Sequence, residues 1–569
     1  MKKIILINNI YDVCKLESQK KKFEQIIVLD YEAAILCFKK KIKFKYIKDI
    51  YHNKKNKNIA ESLVSSYQYA KKIDKNIIRS NINFKNLSFF SNYYNFAKGF
   101  VFLNRYYDYL DFISKKYKNY EINYYTNFKI NTFDFFIETI KIFINKKRNK
   151  FKRTIIKNKQ YQNFYFNNAD DPQINKFRKI FSYLDNYNFS NKKIILFYLL
   201  EKKYLNIIKD FTYNKKIYLK NFNELNKKDK KFSLKKINFL KLDRNLKPKE
   251  KILEKYVNFI GPQIIKTVMD VNEKVLDLIN KKEIKIFVTS HNTLISNTIK
   301  DVMLKNKKSA LTFLHGGTIG HFNNNIFWPT LSIANQNKNK KSYYQIYSSI
   351  QKKRSVSLSE KYKVNNKKNQ FLNFGSESFK DLYNLKKREK NKNHIAYIMQ
   401  SNNNLTINCM QNKNDPYNLF LQRNYFFNKI KKDEIFKVSI SSPENDLYTV
   451  ANKDILDDLI DRKRLFLHKM NAIQILRNAS IVILEQQSTT LIEALCLGVP
   501  TIYLLKNQVL GLNNTDYKNL KKRVIFINSL EDIDLKKIHK NIKNDDSFLK
   551  NYYSMNKKNE FLSIFRKII

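Results

Sequence analysis

Short apolar runs that alternate with amphipathic stretches recur along most of this chain, and the alternation limits the folds it can adopt. Short apolar runs bounded by polar residues are typical of buried strands, whereas amphipathic stretches between them are typical of helices. The apolar runs of the first part are 3–8, 25–30, 44–47, 193–199, 216–220, 284–290 and 310–315. Those of the second part are 394–400, 436–442, 480–485, 500–505 and 523–528. Strands that alternate with helices predict βαβ units and parallel sheets, which is the α/β class.

The domain organisation follows from the length and from one polar segment. With 569 residues the chain exceeds the size that one hydrophobic core usually serves. The very polar segment 381–393 predicts a linker. We therefore expect two Rossmann-like parallel-sheet domains that face each other, over 1–380 and 394–545, and a helical tail over 546–569. The range 85–190, rich in Phe, Tyr, Asn and Lys, predicts a mostly helical insertion in the N-terminal half.

One predicted helix contains two residues that weaken helices. Residues 254–279 have an amphipathic helical pattern, with Gly261 and Pro262 inside it. Proline removes a backbone donor and glycine costs backbone entropy. The pair therefore predicts a break between two helices.

The chain carries a net charge of +59, from 109 basic and 50 acidic side chains. Such a charge attracts phosphate, as found in nucleic acid, an anionic membrane surface or an acidic substrate. A bias of the whole composition toward Lys, Asn, Ile, Phe and Tyr also explains it, and we favour that explanation because the basic residues are spread along the chain. There is no basic stripe, aromatic RNA-binding motif or zinc-ligand spacing, so no specific nucleic-acid partner is expected.

Four cysteines, at positions 14, 37, 409 and 496, show no CxxC spacing. They lie among apolar residues, which predicts buried free thiols and a reducing compartment. No signal peptide and no apolar run long enough to span a membrane are recognised. We therefore expect a cytoplasmic protein, with peripheral contact to the anionic inner membrane as an option that its charge allows.

The stretch 480–505 predicts a strand, a polar turn and a helix that begins at Ser488, Thr489 or Thr490. A helix N-terminus offers unpaired N–H groups and a positive dipole end, which together suit a phosphate. Glu493, one turn later, is placed to accept hydrogen bonds from a ribose diol. The local alternative is a capping box between Thr490 and Glu493, or a cap by Ser488 or Thr489 alone.

The stretch LTFLHGGTIGHF at 311–322 concentrates glycine in a chain that has only eight glycines. It follows an apolar run, so it predicts a loop at the carboxyl end of a parallel strand, where α/β proteins bind ligands. Bare backbone at Gly316, Gly317 and Thr318 could approach a ligand closely. His315 is a candidate general base, and His291 a candidate for lining the same cleft. The alternative for His315 is a hydrogen bond to a neighbouring strand end.

The second half resembles a known family in its strand–helix–strand context. The sequence STT followed by L-I-E-A-L-x-L-G-V-P-T-I, at 488–502, resembles the donor-nucleotide element of GT-B glycosyltransferases and their glycerophosphate-transferring relatives. The resemblance implies that Ser488, Thr489 and Thr490 face donor phosphate and that Glu493 holds the ribose. It also implies two facing Rossmann-like domains and no bound metal or other cofactor.

The first half resembles the same family. The loop L-H-G-G-T-I-G is similar to the Q-H-G loop of surface-polysaccharide and teichoic-acid-type transferases, and F-G-S-E-S-F at 374–379 is similar to their G-S-P-x-F-D turn. By resemblance, His315 would act on the acceptor hydroxyl. Ser442-Pro443 stands where many relatives have His-Pro. This departure implies phosphate contact by Ser442, a different donor or lost activity.

The resemblance implies a transferase that moves a sugar or a polyol phosphate from a nucleotide-activated donor to a surface polysaccharide, such as a capsule or lipopolysaccharide, or to a lipid-linked acceptor. Three alternatives stay open at this point. One is a nucleotide-sugar epimerase of the same fold, for which Glu485 is one candidate acid–base carboxylate. The others are a basic nucleic-acid-binding protein and a non-catalytic protein of polysaccharide synthesis.

Overall fold

The structure is a computed structural model, and it describes only part of the chain. The described residues are 2–19, 23–51, 59–80, 87–92, 94–125, 194–198, 218–221, 248–281, 284–289, 293–312, 342–361, 371–373, 377–385, 393–399, 416–441, 450–468, 472–485, 488–504, 512, 514–535 and 545–553. Within them every paired strand of the three sheets is parallel to its neighbours. The predicted α/β class with Rossmann-like parallel sheets is confirmed.

The described strands of the first sheet all lie within residues 2–124. Its strands are β1 (Lys2–Ile7), β2 (Gln25–Val28), β3 (Lys45–Tyr46) and β4 (Tyr120–Tyr124). They lie in the order β3-β2-β1-β4. The helices along this part are α1 (Ile10–Gln19), α2 (Tyr31–Lys39), α3 (Ile47–Ile50), α4 (Ile59–Ser80) and α5 (Tyr94–Lys116). The helix α2 begins where the Asp30 carboxylate accepts hydrogen bonds from the N–H groups of Glu32 and Ala33.

The sequence analysis placed all strands before residue 380 in one domain, whereas the structure divides them between two sheets. The second sheet contains β5 (Ile194–Tyr198), β6 (Tyr218–Asn221), β7 (Ile284–Thr289), β8 (Ser309–Thr312), β9 (Ser342–Ile346) and β10 (Phe371–Asn373), in the order β10-β9-β8-β7-β5-β6. Of the range 85–190, the described part contains α5 and the strand β4, which pairs with β1. The domain boundaries themselves stay a prediction.

The predicted break at Gly261 and Pro262 is wrong. One helix, α6 (Pro248–Lys281), runs through both residues. Its apolar face, including Val257, Ile265 and Val268, is fully buried in the core of the first sheet. Burial of this face on both sides of Pro262 outweighs the missing backbone hydrogen bond. Two further described helices lie between strands of the second sheet, α7 (Leu294–Lys305) between β7 and β8 and α8 (Ser349–Lys361) between β9 and β10.

The third sheet has the doubly wound order of a dinucleotide-binding fold. Its strands are β11 (His394–Ile398), β12 (Lys437–Ser441), β13 (Leu465–His468), β14 (Ile481–Leu484), β15 (Thr501–Leu504) and β16 (Val524–Ile527). They lie in the order β13-β12-β11-β14-β15-β16. In order of appearance this is 3-2-1-4-5-6. The predicted strands at 394–400, 436–442, 480–485, 500–505 and 523–528 are confirmed, and β13 is additional.

Helices cover both faces of the third sheet. They are α9 (Glu377–Asn384), α10 (Pro416–Asp433), α11 (Lys453–Asp461), α12 (Ala472–Asn478), α13 (Thr489–Cys496), α14 (Asn514–Leu520) and α15 (Ser547–Tyr553). Along β11, Ile395 and Tyr397 pack in the same core as α10 and α11, whereas Ala396 and Ile398 pack in the core of α12 and α13. This alternation follows from the two-residue period of a strand. The helices of the two faces therefore approach the carboxyl edge of the sheet from opposite sides.

The second and third sheets share one core. The Tyr553 ring of α15 lies 5.7 Å from the ring of Tyr347 and 5.5 Å from that of Phe379. Tyr347 directly follows β9, so the C-terminal helix packs against the second sheet. In the predicted tail 546–569, residues 547–553 are this helix and residues 554–569 lie outside the described residues.

Two other predictions concern cysteines and membranes. Cys37 and Cys496 are buried free thiols as predicted, but Cys14 is exposed. It lies beside Val13 on α1, and Val13 takes the buried face of that turn. Cys409 lies outside the described residues. Among the described helices, none combines the length and the apolar composition needed to cross a membrane.

Candidate functional site

The structure describes part of the predicted site. Ser488, Thr489, Thr490 and Glu493 are described, and all four lie at or in α13. The remaining predicted site residues, His291, His315, Gly316, Gly317, Thr318 and Ser442, lie outside the described residues. Their roles stay predictions.

The four described residues follow the strand at which the third sheet reverses its order. β11 and β14 are neighbours in the middle of this sheet, and Ile398 pairs with Leu484 at their carboxyl ends. Beyond this point the chain after β11 leads to α10 on one face, and the chain after β14 leads to α13 on the other. Such a reversal opens a crevice at the carboxyl edge, where open α/β sheets bind ligands.

The first turn of α13 begins at Thr489, five residues after Leu484 at the end of β14. Ser488 is the N-cap residue, with extended backbone, but its side chain makes no capping hydrogen bond. Its Oγ is buried and has no hydrogen-bond partner among the described residues. The positive end of the helix dipole and the Ser488 hydroxyl thus lie at the same edge of the sheet. An anion is the ligand that suits this combination.

The predicted capping box between Thr490 and Glu493 is wrong. The helix begins at Thr489 with Ser488 as its N-cap residue, so Thr490 already lies inside the first turn. Thr490 instead forms a side-chain hydrogen bond with Glu493, three residues later on the same face of the helix. The predicted contact between Thr490 and Glu493 is correct, but the predicted position of Thr490 in the helix is wrong.

Glu493 is almost completely buried, with 6% of its surface exposed. Burial raises the pKa of its carboxyl from 4.5 to about 7, against a smaller lowering by the hydrogen bond with Thr490. Its charge is also one cause of the raised pKa of Tyr347, after burial of that tyrosine itself. Glu493 therefore lies where α13 meets the second sheet, and at neutral pH its carboxyl is able both to donate and to accept a hydrogen bond.

Glu493→Gln is expected to stabilise the folded protein above pH 7 by roughly 3 kcal/mol and to have little effect below pH 4.5. The folded state holds the carboxyl proton more tightly than the unfolded state. The parent protein therefore loses stability as the pH rises from 4.5 to about 7, and glutamine has no such loss. Urea unfolding of both proteins across this range measures the difference. The control is Glu531→Gln at an exposed position. A Glu493→Gln difference that stays constant with pH would contradict the assignment.

A buried charged cluster that the sequence analysis missed lies beside the crevice. The guanidinium of Arg423 donates through Nε to Glu485 Oε1 at 2.7 Å and through a terminal nitrogen to Oε2 at 2.5 Å. The Tyr397 hydroxyl also donates to Glu485. The side chains of Arg423 and Glu485 are both fully buried. The only sequence signal was one arginine among the apolar residues of α10.

This cluster determines what Glu485 is able to do. Its two oxygens accept three hydrogen bonds from Arg423 and Tyr397, and none of the three residues reaches solvent. A carboxylate held in this way orients the end of β14 and is not free to take a proton from a substrate. The geometry therefore counts against Glu485 as the acid–base carboxylate of an epimerase.

The Asp532-Ile533-Asp534 sequence, which matches a metal-binding DxD pattern, has a structural explanation. Ser529 caps a short 3₁₀ helix (Leu530–Asp532), and the Asp532 carboxylate accepts hydrogen bonds from the N–H groups of Asn528 and Ser529. Asp532 is therefore a capping residue of this short helix. Within the described ranges, no group of three or more His, Cys, Asp or Glu side chains is arranged to hold a metal ion.

Comparisons with known proteins add likenesses of fold. No protein-family model matches the sequence. No curated protein sequence matches it either. A UDP-GlcNAc 2-epimerase from Neisseria meningitidis is 12% identical, with a TM-score of 0.38 over 66% of this chain and 98% of that one. The glycosyltransferase SnogD from Streptomyces nogalater is 10% identical, with a TM-score of 0.31 over 53% and 76%. These values carry no argument about function, and the fold is established by the sheets themselves.

Proposed function

We propose that this protein is a transferase that binds a nucleotide-activated donor and moves a sugar or a polyol phosphate to a polysaccharide or lipid-linked acceptor. The observation that carries the proposal is the start of α13 at the point where the 3-2-1-4-5-6 sheet reverses its order. There the uncapped first turn and the unpartnered Ser488 hydroxyl suit the donor phosphate. Thr489 and Thr490 add hydroxyl groups on the same turn.

The other proposed roles come from the family resemblance. Glu493 would contact the ribose, and His315 would act as a base on the acceptor hydroxyl, with Gly316, Gly317 and Thr318 binding developing negative charge. Ser442 and His291 would line the cleft. The proposed cytoplasmic location and contact with an anionic membrane rest on the composition. Among the alternatives, the pairing of Glu485 with Arg423 counts against an epimerase that uses Glu485 as its acid–base carboxylate.

The donor assignment is tested by thermal unfolding with UDP, GDP, CDP and CMP. A nucleotide at 100 times its Kd is expected to stabilise the folded state by about 2.7 kcal/mol and to raise Tm visibly. Thr489→Asp is expected to abolish this increase, because a carboxylate at the start of α13 suits the helix dipole but repels phosphate. The matched control is Thr515→Asp, the same substitution in the first turn of α14.

Each result decides between the proposals. An increase in Tm with one nucleotide class, lost in Thr489→Asp and kept in Thr515→Asp, supports the donor site. No increase with any nucleotide, in protein that unfolds cooperatively, overturns it. His315→Ala is expected to keep the nucleotide-dependent increase and to lose transfer, since the proposed base contacts only the acceptor.

A further inference from the structure

A cleft of about 960 Å³ lies between the first sheet and the helices of the third. One wall is the segment 38–50, which contains the end of α2, the strand β3 and α3. The other wall contains Tyr417 and residues 452–454. α10 follows β11 and α11 follows β12, so both helices begin at the carboxyl edge of the third sheet. The cleft therefore opens at this edge, and its volume is in the range of small-molecule sites.

In the segment 41–46, exposed lysines alternate with half-buried or buried apolar and aromatic residues. Lys41, Lys43 and Lys45 are exposed, whereas the intervening Ile42 and Phe44 are half-buried. Lys41 has left-handed backbone (φ 55°) in the turn that ends α2, and all three lysines line the cleft. Lys41 and Lys43 form no ion pair with any described residue. This wall thus presents a row of cations to the cleft.

The floor of the cleft is aromatic. The Tyr417 ring of α10 lies 5.6 Å from the ring of Phe44 and 5.2 Å from that of Tyr46. Tyr417 belongs to a helix of the third sheet, Tyr46 belongs to β3 of the first sheet and Phe44 directly precedes β3, and the rings pack at 59° and 65° to that of Tyr417. Together with Ile42 and Ile50 they give the cleft an apolar surface beside the lysines. A ligand that suits both features has an anionic group and an apolar or aromatic part.

At the opposite wall, the start of α11 contributes its positive dipole end together with Lys453 and Asp454, whose charges cancel. Asn452 is its N-cap residue and makes no side-chain capping bond. The Asn452 N–H is held by the Asn424 Oδ1 at 2.6 Å, and the Nδ2 of that buried amide has no partner among the described residues. In total the lining includes five lysines and two aspartates, so its side chains carry a net charge of +3. Charge and helix dipole both favour an anion.

We propose that this cleft binds an organic phosphate, with the phosphate group near Lys41, Lys43 and the first turn of α11, and with the organic part against Phe44 and Tyr417. The ligand is a soluble phosphate ester or the phosphate headgroup of a lipid, which share this chemistry. The site differs from the start of α13, because α11 and α13 cover opposite faces of the third sheet. The proposal does not depend on the donor assignment.

The test uses the full chain at physiological salt, with three probes. These are inorganic phosphate, phenyl phosphate and vesicles of phosphatidylglycerol in phosphatidylcholine. The Lys41→Glu/Lys43→Glu variant is expected to bind phenyl phosphate or the vesicles at least ~10-fold more weakly than the parent. The control variant, Lys432→Glu/Lys437→Glu, makes the same change of charge at exposed positions near the amino edge of the third sheet, away from the cleft. It is expected to bind like the parent.

A second variant separates the rings from the charges. Phe44→Ala is expected to weaken phenyl phosphate and to leave inorganic phosphate unchanged, a result that misfolding would not produce. If the Lys41→Glu/Lys43→Glu variant loses binding of vesicles and the control variant does not, the ligand is a lipid headgroup. If the Lys41→Glu/Lys43→Glu variant loses binding of phenyl phosphate but not of vesicles, the ligand is a soluble ester. Equal losses in the cleft and control variants, or no binding of any probe to the parent, would overturn the proposal.

Discussion

Arg423→Met is expected to lower the free energy of unfolding by about 3–5 kcal/mol. Methionine fills much of the arginine volume, so the loss comes from the charge that is left behind. The Glu485 carboxylate would stay fully buried after losing both of its hydrogen bonds from Arg423. A buried charge without its partner costs its desolvation energy, which is far larger than the net energy of an exposed ion pair. Urea unfolding with one structural probe measures the change.

Two further variants separate this explanation from a general effect of removing arginine. Arg462→Met breaks exposed ion pairs with Asp458 and Glu434, and is expected to cost at most about 1 kcal/mol. Arg423→Met/Glu485→Met removes both charges and is expected to be more stable than Arg423→Met alone. If Arg423→Met costs no more than Arg462→Met, the buried pair does not hold the end of β14.

The sequence predicted those features that depend on neighbouring residues. Apolar runs such as 480–485 and 500–505 became β14 and β15, because each run is long enough to be one buried strand. The start of α13 was also predicted to within a residue, since Ser488, Thr489 and Thr490 are typical of helix N-termini. The candidate donor site could therefore be located before its geometry was known.

Features that depend on distant residues could not be predicted in this way. Arg423 and Glu485 are 62 positions apart, and neither position carries a local pattern that indicates the other. The order of strands in a sheet is equally hidden, so the separate first sheet was not anticipated. At Pro262 a local rule gave the wrong result because burial of α6 in the core of the first sheet outweighs the helix-breaking tendency of proline.

Asp74→Ala is expected to lower the free energy of unfolding by about 3–5 kcal/mol, because it removes the acceptor of four hydrogen bonds at once. The Asp74 carboxylate on α4 accepts from the N–H groups of Phe89, Phe90 and Ser91 and from the Ser91 hydroxyl. Phe89 and Phe90 are almost fully buried, so water would not replace these bonds freely. The segment 89–91 would lose its attachment to α4. Chemical unfolding measures the change.

The cost of Asp74→Ala should exceed that of two related substitutions. Asp74→Asn keeps one oxygen that accepts from the three donors now bonded to Oδ2, whereas its amide nitrogen faces the Phe90 N–H and leaves that group without an acceptor. The expected loss of stability is therefore smaller than for Asp74→Ala. Asp111→Ala removes an exposed carboxylate of α5 that pairs with Lys115 one turn later, and is expected to cost at most about 0.5 kcal/mol. Equal costs for Asp74→Ala and Asp111→Ala would show that the four bonds contribute no net stability. The ordering Ala, then Asn, then the exposed control would instead assign the loss to the unsatisfied backbone groups, because their number falls in that order.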